Sequence, residues 1–211
     1  MKKLYVIGDS ISGHYWPFLK SGLCGMVECI ERSGEIEARL NLDDPQGANS
    51  GDSKRVLALL RAHARTGGIN ADLLLVNCGL HDIKTDPRTG QKQVPLDQYV
   101  QNLKALVATA RSMQPTLAWV RTTPCDDRVH NHPGMAFHRF ARDADAYNRA
   151  AESVMTEAGV PILDLYTFTV NLGPDLYCDH VHFHEHIREK QGAFIAGWVM
   201  ARFAGQSNPA V

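Results

Sequence analysis

An excess of charge of either sign is missing from this chain: 22 Lys and Arg stand against 23 Asp and Glu, for a net charge of −1. Proteins that hold nucleic acid or lie on anionic membranes present strongly basic faces, so the balance argues against both kinds of partner. Long hydrophobic runs are missing too, and no stretch approaches the roughly 18 apolar residues of a membrane span. Met1-Lys2-Lys3 has the basic start of a secretion signal, but the apolar run behind it ends at Ile7, too short for a signal core, so a cytoplasmic location is expected. Paired cysteine spacings are absent: the five cysteines (24, 29, 78, 125, 178) are odd in number and include no CxxC, which fits free thiols in a reducing compartment. Neither Cys78 nor Cys178 has a basic neighbour in sequence that would mark an activated thiolate. No internal repeat, low-complexity tract or linker interrupts the 211 residues, and 44% apolar content suits one domain, 1–211, whose core needs neither disulfide nor metal.

What is present is an alternation. Short apolar runs at 4–7, 36–40, 73–77, 117–121 and 161–165 read as strands. Between them lie stretches of helical period at 16–32, 52–65, 96–113 and 138–158, with a last one at 185–203. Tyr99, Leu103, Leu106, Val107 and Ala110 form one apolar stripe, as do Phe140, Ala144, Tyr147, Ala151 and Val154. The pattern predicts an α/β fold with a five-stranded parallel sheet and helices on both faces. In such sheets the ligand crevice lies beyond the carboxyl ends of the strands. Gly8-Asp9-Ser10, Asn77-Cys78-Gly79 and Thr122-Thr123-Pro124 fall at such ends. Two long polar loops, 41–51 and 123–137, are of the length that often carries function.

Ser10 follows the first strand, and Asp179-His180-Val181-His182 near the other end forms a D-x-x-H. Together they hold a nucleophile, a base and an orienting carboxylate in the chain order Ser…Asp…His, the inventory of acyl transfer through a serine ester. A serine hydroxyl attacks only once a base removes its proton, the task of His182, and Asp179 three residues before it can hold the ring's tautomer. Taken alone, Ser10 could be a helix cap. Asp9 and Asp82 are read as bracing their loops by hydrogen bonds. The run His180-Val181-His182-Phe183-His184-Glu185-His186 could place alternating histidines on one strand face as zinc ligands. Ile187, Phe194, Ile195 and Trp198 continue at helical spacing, however, so His184 and His186 are expected to open a helix, and no metal or cofactor is expected.

These blocks resemble the SGNH hydrolases, also called GDSL esterases, nearly end to end. Gly8-Asp9-Ser10-Ile11 resembles the family's first block, Asn49-Ser50-Gly51-Asp52-Ser53 the second, Gly79-Leu80-His81-Asp82 the third and Asp179-His180-Val181-His182 the fifth. The resemblance implies a flavodoxin-like three-layer domain, a triad of Ser10, Asp179 and His182, and an oxyanion hole formed by the N–H groups of Ser10 and Gly51 with a third-block side chain. That side chain is normally an asparagine amide and here is His81, whose imidazole can also donate one N–H. The chain lacks Gly two residues after Ser10, so this is not the GxSxG elbow of the larger α/β hydrolases.

The substrate expected from the resemblance is a small acyl ester, with carbohydrate O-acetyl esters foremost. Thioesters, lysophospholipids and lactones stand as alternatives, beside a non-catalytic ligand-binding role on the same scaffold and a metal hydrolase built on the histidine tail. Tyr15 and Trp16 could form a platform for a sugar or an apolar acyl group; equally, Trp16 and Phe18 could start the core face of the first helix. Arg128, with His130, His132 and His138 in the same loop, could donate to a polar substrate. The sequence leaves the oligomeric state open.

Overall fold

Runs of leucine and β-branched residues buried on both faces build one parallel sheet in the computed structural model, which describes residues 1–34 and 43–206. In chain order the elements are β1 (Lys2–Ile7), α1 (Ser10–Leu23), β2 (Val27–Cys29), α2 (Ser53–Arg65), β3 (Leu73–Val76) and α3 (Leu96–Arg111), followed by β4 (Thr116–Val120), α4 (Asp127–His130), α5 (Ala141–Glu157), β5 (Ile162–Leu163), α6 (Leu165–Val170) and α7 (Glu185–Gln206). The sheet order is β2-β1-β3-β4-β5, all parallel, the flavodoxin-like order with its reversal between β1 and β3. Register runs Leu4↔Leu73 to Ile7↔Val76, then Leu73↔Thr116 to Val76↔Trp119, and Trp119↔Ile162 closes the far edge. Leu73 through Val76 are at most 1% exposed, as a central strand covered on both faces requires.

The second strand departs from the sequence reading. The run at 36–40 lies outside the described residues, and the strand that pairs with β1 is Val27–Cys29, in the register Lys2↔Val27. Their spacing in the sequence predicts the end of a helix spanning 16–32. The helix instead starts at Ser10 and stops at Leu23, because Gly25, at φ +75°, turns the chain into a left-handed conformation that no helix continues through. Val27, Cys29 and Ile30 mimic helical spacing, and a strand of three residues is too short to show its own period.

α1, α6 and α7 pack together in one helical layer, and α2, α3 and α5 form the other. The layers matter here because α1 begins with Ser10 and α7 begins just after His182. They approach closely at Gly192, where a β-carbon would stand 2.6 Å from Phe18 Cβ and 2.8 Å from the backbone N of Leu19. Among the described residues, no helix is long and apolar enough to cross a membrane.

Candidate active site

Ser10 is the first residue of α1, held there by Asp9 as N-cap. Asp9 Oδ1 accepts the N–H of Ile11 at 3.0 Å, and its backbone oxygen accepts the Ser12 hydroxyl at 2.6 Å. Burial pushes the Asp9 carboxyl up, against the bond from Ile11 and the fields of Arg139 and His182. The cap satisfies one of the helix's orphan N–H groups and leaves that of Ser10 without a helical partner, at the positive end of the helix dipole.

Across the crevice the loop 178–184 returns His182 to Ser10. Ser10 Oγ lies 2.9 Å from His182 Nε2, although the two residues stand 172 positions apart in sequence. The other ring nitrogen, Nδ1, lies 2.8 Å from Asp179 Oδ2 and 3.0 Å from Oδ1. Asp179 also accepts the backbone N–H groups of Val181 at 2.9 Å and His182 at 2.7 Å, so three residues of spacing become one tight turn. Burial opposes ionisation of Asp179, but His182 and the two backbone donors outweigh it and hold the carboxyl well below its usual range. The arrangement fixes the imidazole tautomer, with the proton on Nδ1 toward Asp179 and the lone pair of Nε2 toward the hydroxyl. His14, one turn along α1 from Ser10, stacks edge-on to the His182 ring at 5.0 Å between centroids. The sequence reading passed over His14, though its i+4 spacing from Ser10 on a helix was the available signal.

The second block arrives on the loop before α2. Gly51 has φ +65°, and a β-carbon there would meet Pro45 Cγ at 2.5 Å, so only glycine fits. Its N–H donates to Asn49 Oδ1 at 3.1 Å. Asp52 caps α2 by accepting the N–H of Arg55 at 3.0 Å. Asp82, in the third block, accepts the N–H of Ser53 with both oxygens, at 3.0 and 3.1 Å, and Asn102 donates to Ser53 Oγ at 2.9 Å. Burial pushes the Asp82 carboxyl up to about 8. Asp82 thus braces the turn that carries Gly51.

His81 is 1% exposed, and its Nδ1 is buried with no hydrogen-bond partner among the described residues. Burial pushes its imidazole well below the usual histidine range, and the cations of Lys84 and Arg139 push the same way, so the ring is neutral. A buried N–H without an acceptor is rarer than an acceptor without a donor, which places the proton on Nε2.

The remaining candidates are dispersed. Tyr15 and Trp16 are 2% and 6% exposed, and Trp16 donates its indole N–H to Glu31 at 3.2 Å, an arrangement that favours the packing reading over an open substrate platform. Arg128 is solvent-exposed and closes on Asp126 at 3.1 Å, on the rim of a groove of about 600 Å³ whose lining includes Pro124, Leu176 and Tyr177. His184 precedes α7 and His186 lies within it, as the helical spacing predicted. Asp179, His180 and His182 bring one potential metal-ligand atom each to within 4.8 Å of one another. Asp179 and His182 are already bonded to each other there, and an ion would have to replace those bonds. Cys78 is buried, and burial pushes its thiol well up. Cys178 is exposed, and Arg188 approaches its Sγ at 3.2 Å, a basic neighbour that ten residues of separation hid from the sequence reading.

Comparison with known proteins places this geometry in a family. Residues 6–187 match the model of the GDSL-like lipase/acylhydrolase family. No curated protein sequence matches the chain significantly. Among solved structures, a lipase/acylhydrolase from Enterococcus faecalis superimposes with a TM-score of 0.69 at 18% identity, covering 96% of this chain and 97% of that one. The Mycobacterium smegmatis aryl esterase gives 0.65 at 18% identity, covering 95% and 99%. Est24, a carbohydrate acetylesterase from Sinorhizobium meliloti, gives 0.61 at 15% identity, covering 95% and 99%. At these identities the structural likeness speaks for the fold, and the matched family model speaks for descent: the chain belongs to the GDSL-like lipase/acylhydrolase family.

Proposed function

We propose that the chain is a serine esterase that removes small acyl groups, acetyl foremost, from carbohydrate or other small alcohol esters through an acyl-enzyme at Ser10. The observation that carries this reading is the unbroken chain from Ser10 Oγ through His182 Nε2 and Nδ1 to Asp179, with contacts of 2.9 and 2.8 Å. His182 takes the hydroxyl proton at Nε2 as Ser10 Oγ attacks the ester carbonyl. The same proton passes to the leaving alcohol as the C–O bond breaks. Water, activated by the same nitrogen, then releases the acid. Asp179, kept ionised, stabilises the imidazolium that forms in each half. The charge on the carbonyl oxygen is met by the N–H groups of Ser10 and Gly51 and by Nε2–H of His81. Gly51 must share its N–H with Asn49 Oδ1 or turn from it as the oxyanion forms. The mechanism requires no cofactor, and one domain suffices for it. The preference for acetyl groups and sugars draws on the family and on the acetylesterase among its structural neighbours.

Turnover of p-nitrophenyl esters of increasing chain length, together with acetylated sugars, tests the reading. Acetate and propionate esters are expected to turn over fastest, and full activity in a folded Ser10→Ala protein would remove the assignment. A second reading, a non-catalytic binder of acylated carbohydrate, is favoured by the engaged Gly51 N–H and by His81 in place of the amide. It predicts saturable binding of acetylated sugar with no product.

A further inference from the structure

Beside the Ser10 site lies a second, partly buried chain of charged and ring groups that the esterase chemistry leaves unused, and its centre is the half-buried Asp43. Oδ2 of Asp43 lies 3.1 Å from His180 Nε2, and Oδ1 lies 3.7 Å from Arg139 Nη2. The backbone oxygen of the same residue accepts the Lys84 ammonium. Each partner stands on a different segment. His180 sits between Asp179 and His182; Lys84 closes the loop that bears His81; Arg139 leads into α5. Arg139 in turn donates Nε–H to the backbone oxygen of Leu80 at 2.8 Å, the residue before His81. The ring of Phe137 underlies both cations, 4.3 Å from Lys84 Nζ and 4.8 Å from the Arg139 guanidinium carbon.

We infer that Asp43 is a positioning residue for hydrolysis, one that sets the loops carrying Gly51, His81 and the Asp179–His182 pair in register with one another. The inference rests on the esterase reading above. Hydrogen bonding reinforces it. With its Nε2–H committed to Asp43, His180 can only accept at Nδ1, and His130 Nδ1 lies there at 2.8 Å. His130 therefore keeps its proton on Nδ1, and its buried Nε2 has no partner among the described residues. Burial, with the cation of Arg139, holds His130 down to about 4, so it stays neutral and able to play that part. One carboxylate thus fixes the tautomer of His180 and compensates two buried cations, while the backbone oxygen of His180, 3.2 Å from His130 Nδ1, holds the second histidine in the tautomer that matches. Burial also lowers Lys84 to about 8, against the field of Asp43, so the compensation is not complete.

Among the described residues, the groups facing Asp43 are His180, Arg139 and Lys84, with His130 and His81 within its field. Replacing the carboxylate by an amide leaves the cations uncompensated beside His182 and loosens the contact to His180. Asp43→Asn is expected to lower kcat for p-nitrophenyl acetate by about 10- to 100-fold, the scale of a small misplacement at a reacting centre, with KM nearly unchanged. The acid limb of its kcat/KM profile should move to lower pH, a shift that partial unfolding does not produce.

End-point labelling of Ser10 by a fluorophosphonate counts folded sites, and the labelling rate reports their alignment. Full labelling of Asp43→Asn at a reduced rate, with reduced kcat, supports the inference. Equal rates and equal kcat in both proteins overturn it and leave the esterase reading standing. A wild-type protein that neither labels nor turns over ester overturns both. If Asp43→Asn does not label to completion, His180→Ala decides, since it removes the contact from the other side, and an unchanged kcat in that variant overturns the inference.

Discussion

His81 has one ring nitrogen buried and unbonded among the described residues, and its proposed role as an oxyanion donor is testable. The pressure of burial keeps it neutral, so it has one N–H to offer rather than a full charge. His81→Asn should keep much of the wild-type rate, because the amide restores a donor at the same place. His81→Ala should lose about 2–4 kcal/mol of transition-state stabilisation, seen in kcat rather than KM. Steady-state kinetics of the two variants check this, and an Ala variant as fast as wild type would leave the two backbone donors alone in the role. That Ser10, Asp179 and His182 come together was legible in the sequence, because each stands in a short block whose spacing is itself informative. The places of Asp43 and Arg139 were not, because their partners lie far away in sequence. The engaged N–H of Gly51 was hidden for a related reason, since no pattern of residue types reveals which acceptor a backbone donor chooses.

Two elements carry predictions of their own. α1 and α7 bring Ser10 and His182 together only while they can cross closely at Gly192. Gly192→Val should destabilise the protein by about 1–3 kcal/mol through overpacking. Any gain in helix propensity is under about 1 kcal/mol and cannot offset it. Chemical denaturation measures the difference, and a Val variant as stable as wild type would show that the helices are free to part. α2 is anchored by Asp82, whose carboxyl stands at about 8 in the folded chain, against roughly 3.9 when unfolded. Between those values the folded state holds a proton that the unfolded state has lost, so stability falls as pH rises from about 4 to 8. Thermal melts across that range should therefore show wild type losing ground to Asp82→Asn as the pH rises, and parallel curves would contradict the raised value. Helices with a clear apolar stripe, α3 and α5 among them, were legible to within a few residues. β2 was not, because three residues behind a glycine turn carry too little periodicity to compete with the helical pattern before them.

At the scale of the molecule, the alternation of apolar runs and helical stripes was enough to give a parallel sheet with helices on both faces. The strand order β2-β1-β3-β4-β5 then explains why the chemistry gathers at one edge. The first strand ends at Gly8-Asp9-Ser10 and the third at Asn77-Cys78-Gly79, on neighbouring strands across the reversal of sheet order, where a crevice opens. The closing loop with Asp179 and His182 reaches that crevice from the far end of the chain, and the packing of α1 on α7 holds it there. The chemical identity of the acyl and alcohol groups was not legible, because the loops that would select them carry no pattern of their own. The most direct test of the central claim is intact mass after exposure to a fluorophosphonate. One adduct per chain is expected, mapped to the peptide bearing Ser10 and abolished in Ser10→Ala and in His182→Ala. A folded wild-type protein whose mass does not change, or an adduct that persists in Ser10→Ala, would contradict it.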